Sequence, residues 1–341
     1  MRKLRILALV HRSLVPPADA NADDSETSDW KTEYDVITTL RQLGHQVVPL
    51  GVDDHLEVVR QAIEKHKPHI CFNLLEEFAG RSAFDQNVVS YLELLGVPYT
   101  GCNPQGLILA RDKALTKKLL RFHHIPVPDF AVCRLGRKAR RPARLGFPLI
   151  VKSVDEEASL GISQASIVES DEELVARVAE IHEELVTDAL IESYVDGREL
   201  YVALLGNSRL TVFPTWELLF EKMPDGARNI ATARVKWDVP FQKKHGITSS
   251  LAADLPDDVN VKLPRLAKKI FRVLKLTGYA RIDLRLTPEG KFYVLEANPN
   301  PQLAFGEDLA ESAEADGLSY PGLLNRILQL GLRAHKARDR A

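Results

Sequence analysis

The sequence predicts a mixed α/β and α+β chain: an N-terminal unit built on a parallel sheet, followed by two α+β subdomains. Three observations predict it. Strand-like and helix-like patterns alternate over the first hundred residues, as in a parallel sheet wound with helices. From Gly146 onward short strands run in pairs separated by turn residues. At 341 residues the chain is too long for one small core. Residues 1–103 are read as the first unit, 104–145 as a connecting helix and linker, 146–205 and 206–335 as the two α+β subdomains, and 336–341 as a tail.

Composition narrows the class. Hydrophobic residues make up 45% and charged residues 27%, as in an ordinary globular protein. Lys plus Arg number 45 against 47 Asp plus Glu, a net charge of −2, so no global field draws the chain to nucleic acid or to an anionic membrane. Small molecules are the expected partners. The apolar run at the start ends at His11-Arg12 and reads as a buried strand rather than a signal segment. No stretch approaches the ~18 apolar residues of a membrane span. Cys71, Cys102 and Cys133 are far apart and free of CxxC spacing, which predicts free thiols and a cytoplasmic location.

The elements follow in order. Residues 4–10 form the first strand, and 15–28 are a Pro-rich, then acidic loop. Tyr34, Ile37, Leu40 and Leu43 recur at helical spacing over 30–43, and Gly44 ends that helix. Strands at 46–50 and 69–73 flank a helix at 56–66; a helix at 88–95 leads to a short strand at 97–100. No GxGxxG turn supports a dinucleotide site. One helix is expected over 106–122, carrying Lys113 and Thr116-Lys117-Lys118. His123-His124 and the basic run 134–144 read as solvated. A strand over 146–152 ends in Lys152, a loop carries Ala158-Ser-Leu-Gly161, and a strand at 164–168 precedes a helix capped by Ser170 or Asp171. Strands 190–195 and 198–205 are read as a hairpin about Asp196-Gly197. Helices at 264–276 and 320–332 bracket a second hairpin, 281–298.

That second hairpin carries the chemistry. With Thr287 opposite Gly290, Asp283 falls opposite Val294 and Arg281 opposite Glu296. Arg281, Asp283, Glu296 and Asn298 then share one face, while Ile282, Leu284 and Leu295 take the other. Two buried carboxylates call for a cation between them, and hard oxygen donors suit Mg²⁺; a solvated face of cross-strand ion pairs is the alternative. Elsewhere Lys113 and Lys152 suit phosphate oxygens, and the Ser159–Gly161 loop offers backbone N–H groups to cover them. Glu192, Glu199 and the 191–195 backbone, Tyr194 included, suit an adenosine. With no Walker A motif these are the parts of a nucleotide-triphosphate site of another kind.

The ordered set Asp112-Lys113 with Thr116-Lys117, Phe147-Pro-Leu-Ile-Val-Lys152, Ala158-Ser-Leu-Gly161, Leu190-Ile-Glu192, Gly197-Arg-Glu199, Lys236, Arg281-Ile-Asp283 and Leu295-Glu-Ala-Asn298 closely resembles the ATP-grasp enzymes. Within them it resembles the D-alanine–D-alanine ligase branch, aided by Leu94-Leu-Gly-Val-Pro-Tyr-Thr-Gly101, from about residue 68 onward. The resemblance implies an ATP-grasp fold: a pre-ATP-grasp α/β domain and two α+β subdomains that clamp ATP. It implies a ligase that phosphorylates a carboxylate with ATP and two Mg²⁺ ions, or Mn²⁺ in their place, so that an amine attacks an acyl phosphate. By this resemblance Lys113, Lys152, Ser159 and Gly161 hold phosphates, and Glu192, Tyr194 and Glu199 hold adenosine. Lys236, Arg281 and Ser159 are catalytic, Asp283, Glu296 and Asn298 bind metal, and the enzyme is a homodimer.

The departures fall on the substrate side. The family's Gly-rich, Glu-bearing stretch after the first strand is replaced by His11-Arg-Ser-Leu-Val-Pro-Pro17, and its His-Gly by Asn73-Leu-Leu-Glu76-Glu77. Trp237 stands for a tyrosine, Pro299-Asn300-Pro-Gln302 for Thr-Ser-Pro-Gly, and Glu307 for a carboxylate-binding serine. Glu76, Glu77, Trp237, Asn300, Gln302 and Glu307 are therefore the candidate substrate residues. An acidic side chain in place of that serine repels a carboxylate and favours an amine, so the expected pair is a small-molecule carboxylate and an amine other than D-alanine with D-alanine. A genuine D-alanine–D-alanine ligase and a non-catalytic ATP-binding protein are the alternatives.

Overall fold

The computed structural model describes residues 3–25, 28–155 and 161–338; Ser159 lies outside them. A three-stranded parallel sheet comes first, in the order β2 (Gln46–Val52), β1 (Arg5–His11), β3 (Ile70–Asn73). Leu7 and Leu9 of β1 enter one core while Ile6 and Ala8 enter another. Both faces of the strand are thus buried, which is why it reads as an unbroken apolar run.

A four-stranded sheet follows, in the order β4 (Phe130–Cys133), β7 (Ala189–Ser193), β5 (Leu149–Ser153), β6 (Ile167–Val168). It has its own small core, in which Leu149, Val151 and Ile191 meet Leu174, Val178 and Ile181 of the helix Asp171–Glu184. Ser170 caps that helix by accepting the Glu173 amide at 3.1 Å. The third sheet runs β11 (Ile247–Leu251), β10 (Trp216–Phe220), β8 (Arg198–Gly206), β12 (Tyr279–Leu286), β13 (Phe292–Pro299), with β9 (Leu210–Val212) paired to β8. Along β12 the period of two separates Ala280, Ile282, Leu284 and Leu286, which enter the main core, from Arg281, Asp283 and Arg285 on the other face.

Several expectations are corrected. Strands β7 and β8 do not form a hairpin: β7 pairs with β4 and β5, and β8 with β9, β10 and β12. Asp196-Gly197 instead carries the chain from one sheet to the other. Gly197, at φ +138°, passes so close to the Leu286 carbonyl that a Cβ there would lie 2.2 Å from its oxygen. The β12–β13 register also differs, since Thr287 bonds Lys291 and a bulge between Asp283 and Leu284 sets Asp283 opposite Glu296 and Arg281 opposite Asn298. Val294 pairs with Leu284 on the core face, and Leu295 lines the cleft instead of pointing away. The bulge consumes one residue, which restores the predicted face to Glu296 and Asn298.

Smaller differences have local causes. The expected helix 106–122 is two, Pro104–Arg111 and Lys113–Phe122, because Asp112 turns its carboxylate onto the Leu115 amide at 2.8 Å as a cap. The helix expected from 264 starts at Asp257 and holds Pro264 within it. The segment 97–100 contributes only a bridge between Cys71 and Tyr99, and 164–166 is a 3-10 turn. The three cysteines are free and buried, and burial pushes Cys71 and Cys102 up to about 12. No described helix is long and apolar enough to cross a membrane.

The first unit and the third sheet meet at Gly101 and Gly278. Gly278, at φ +74°, presses on the Gly101 carbonyl, where a Cβ would come within 2.5 Å of the oxygen. Cys102 N donates to Asn300 Oδ1 at 2.8 Å and Asn103 N to Thr277 Oγ1 at 2.9 Å. Gly278→Ala combines a left-handed backbone with a backbone collision and is expected to cost about 2 kcal/mol or more. Denaturant unfolding checks this, and an unchanged midpoint would show that the junction yields freely.

Candidate active site

Three charged rows converge on one cleft. The floor is the polar face of β12 with its neighbours, where Asp283 lies opposite Glu296 on one side and Tyr201 on the other. The ceiling comes from β5 and β7, which contribute Lys152 and Glu192, with Tyr194 just beyond. The helix Lys113–Phe122 closes the back with Lys113 and Lys117, four residues apart and both buried. Lys152, Glu192, Tyr194, Glu199, Lys236, Asp283 and Glu296, all expected from the sequence, line this cleft.

The electrostatics are set by burial and pairing. Glu192 is 1% exposed, with Lys117 Nζ 2.6 Å from one carboxylate oxygen and Lys152 Nζ 2.7 Å from the other. Burial alone would raise the Glu192 pKa, but the two lysines hold it below the usual carboxylate range. Burial draws the Lys117 ammonium down to about 8, with Glu192 opposing the shift and Lys152 adding to it. For Lys152 burial also disfavours the charge, yet Glu192 and Glu296 outweigh it and its pKa rises. Glu192 is therefore fully engaged by cations. The β7 backbone expected to meet adenine is engaged as well, since the Ser193 and Tyr194 amides donate to the carbonyls of Asp129 and Pro148.

The paired carboxylates differ. Burial raises Asp283 to about 6 although Arg281 opposes it. Burial would also raise Glu296, but Lys113, Lys236, Lys152 and Arg281 bring it far below its ordinary value. Arg281 grips Asp283 in a two-pronged pair, Nε to Oδ1 at 2.8 Å and Nη2 to Oδ2 at 2.9 Å. Its third nitrogen is 3.4 Å from Asp308, and the guanidinium lies over the Tyr201 ring. Asn298 Nδ2 sits 3.0 Å from Asp283 and 3.4 Å from Glu296. This is a hard-oxygen set with only two carboxylates. Among the described residues no group of three His, Cys, Asp or Glu gathers as a closed cage. Such a set fits Mg²⁺, which takes one or two carboxylates and completes its shell with phosphate and water.

Of two further participants, Arg285 was not expected, and Lys117 belongs to the motif set but was given no role. Lys117 bonds the Leu295 carbonyl at 2.8 Å besides Glu192; its spacing from Lys113 was the available signal. Arg285, buried, pairs with Glu199 at 2.6 Å and bonds the carbonyls of Gly197 and Asn229; it continues the period-two row of Arg281 and Asp283. Glu199 also accepts the Tyr201 hydroxyl at 3.0 Å. The Gly161 carbonyl accepts the Arg177 guanidinium.

A second cleft of about 740 Å³ holds all six candidate substrate residues, Glu76, Glu77, Trp237, Asn300, Gln302 and Glu307. Lys236 lines both clefts and joins them. It rides on the short helix Ala233–Trp237, capped by Thr232. Ala233 N donates to the Ile162 carbonyl at 3.2 Å, which ties this segment to the four-stranded sheet's loop.

Comparison with known proteins gives the family and the fold. The family model described as "D-ala D-ala ligase C-terminus" matches residues 119–329. An uncharacterized protein of Sinorhizobium fredii is 31% identical over 305 residues, 88% of this chain and 87% of that one. A D-alanine–D-alanine ligase of Desulforudis audaxviator is 31% identical over 299 residues, 86% of this chain and 90% of its own. The crystal structure of the Bacillus anthracis D-alanine–D-alanine ligase complexed with ATP superposes with a TM-score of 0.76 at 22% identity, covering 98% of this chain and 99% of that one. The fold is ATP-grasp, as expected from the sequence.

Glu192→Gln leaves two buried ammonium groups without their shared counter-charge. It should lower the unfolding free energy by about 3 kcal/mol or more, read by denaturant melts; a wild-type midpoint would show that water already reaches the two lysines.

Proposed function

The chain belongs to the D-alanine–D-alanine ligase family of ATP-grasp carboxylate–amine ligases, and on that footing we propose that it joins an amino-acid-like carboxylate to an amine through an acyl phosphate, using ATP and Mg²⁺, with a pair other than D-alanine and D-alanine. The observation that carries the reading is the acidic second cleft, which meets the first cleft, with its paired lysines and carboxylates, at Lys236.

Each residue has work that its position supports. Lys113, Lys152 and Lys236 surround Glu296 with positive charge and would neutralise phosphate oxygens drawn in beside them. Asp283, Glu296 and Asn298 would hold the metal, Asn298 by turning its amide oxygen inward. When bound, Mg²⁺ neutralises charge on the transferring phosphoryl group. Arg281 keeps Asp283 fixed through its two-pronged pair, and the edge near Asp308 is the part left to face phosphoryl oxygens. Glu199, held by Arg285 and Tyr201, presents a rigid acceptor for a ribose hydroxyl. A carboxylate is a poor electrophile, and phosphorylation supplies its leaving group. The segment of Lys236 and Trp237 lies where it would keep water from such an intermediate.

The substrate side supports a changed pair. Glu307 stands where the family places a serine that receives a carboxylate. Burial, with Asp308 adding to it, raises the Glu307 pKa although Arg281 and Lys31 oppose it, and an acidic side chain here replaces a neutral hydroxyl donor that would receive a carboxylate. Phosphate release from Mg-ATP tests the reading: D-alanine alone should give little turnover, and a panel of amino acids, dipeptides and polyamines should contain a pair that gives much more. Asp283→Ala should lower that turnover at least about 100-fold, as loss of metal support does, with unchanged circular dichroism. D-alanine turnover that no other pair exceeds would contradict the changed pair, and an active Asp283→Ala would contradict the metal role.

A further inference from the structure

Glu33 is a side chain of the second cleft that no motif foretold. It lies in the first turn of the helix Lys31–Gln42 and is 4% exposed. Its Oε2 has no hydrogen-bond partner among the described residues, yet it lines the cleft beside Glu76, Glu77 and Glu307. A carboxylate withdrawn from water with one oxygen unpartnered is costly, and the cost is relieved by a cation. Burial pushes Glu33 up to about 7, with a hydrogen bond from its own backbone opposing the shift and repulsion from Glu76 adding to it.

The surrounding structure keeps this carboxylate in place. Gln302 Nε2 donates to Thr32 Oγ1 at 3.3 Å and Phe305 N to Asp35 Oδ2 at 2.9 Å, so residues on both sides of Glu33 are tied to the loop that follows β13. The cleft's own lysines serve other carboxylates: Lys31 acts on Glu307 and Lys236 on Asp283 and Glu296.

We propose that Glu33 is the cation anchor of the substrate cleft, and that it selects a substrate bearing an ammonium group with no carboxylate beside it, such as a diamine. The inference rests on the second cleft being the substrate cleft of the ligase read above. Glu76, Glu77 and Glu307 would repel a carboxylate placed next to the held ammonium, which excludes the zwitterionic end of a simple amino acid from this subsite.

Titration calorimetry on the full chain tests it with 1,5-diaminopentane, 1-aminopentane, pentanoate and D-alanine. The diamine should bind most tightly, the monoamine less so, and the other two should not compete. Glu33→Gln should weaken diamine binding about tenfold or more, the scale of one hydrogen bond to a charged group, while retaining Mg-ATP binding. If that variant does not fold, Glu33→Asp, which keeps the charge but draws it back by one methylene, should show a smaller loss in the same direction. A wild-type protein that ignores the diamine, or a folded variant that binds it unchanged, overturns the anchor. The phosphate-release screen reports separately on the ligase: turnover without diamine binding removes the anchor alone, and diamine binding without turnover on any pair removes the ligase reading alone.

Discussion

The nucleotide cleft depends on a buried carboxylate held between two lysines. Glu192 comes from β7, Lys152 from β5, and Lys117 from a helix that also bonds the β13 carbonyl of Leu295. This one charge cluster therefore joins the ceiling of the cleft to its floor. Desolvating three charges is expensive, and the arrangement holds only because both carboxylate oxygens meet a cation at close range. With Glu192 engaged in this way, it acts as the keeper of Lys152 and Lys117 rather than as an exposed acceptor. The cluster sets the position and charge of the groups that would meet phosphate.

The floor follows the same logic with the opposite sign. Asp283 and Glu296 face each other across paired strands, and their different surroundings separate their protonation: lysines from three directions keep Glu296 ionised, whereas Asp283 relies mainly on Arg281. Two carboxylates and an amide oxygen leave most of a Mg²⁺ shell to phosphate and water.

Much of this was legible in the sequence because it is local. The parallel unit follows from alternating strand and helix patterns, and the common face of Arg281, Asp283, Glu296 and Asn298 follows from the period of two, although the bulge at Leu295 reached that face by a different register. What was not legible is long-range. Asp196-Gly197 carries the same turn signal whether the chain folds back or crosses to another sheet, and only the pairing of β8 with β12 decides it. Lys117 and Arg285 find their partners across 75 and 86 residues, distances at which residue spacing is silent. Glu33 sits in an ordinary amphipathic helix, and its place in the second cleft appears only when the loop after β13 bonds Thr32 and Asp35 beside it. Asn300, expected on the substrate side, also accepts the Cys102 amide, so one residue serves the junction of two units and the cleft wall.

The central claim is that this chain passes the γ-phosphoryl group of ATP to a carboxylate. Hydroxylamine capture tests it most directly: the protein is incubated with Mg-ATP, a panel of amino and dipeptide acids, and hydroxylamine in place of the amine. An acyl hydroxamate formed in equal amount with ADP and phosphate is the expected result. AMP and pyrophosphate as products, or ADP formed without any hydroxamate, would contradict it.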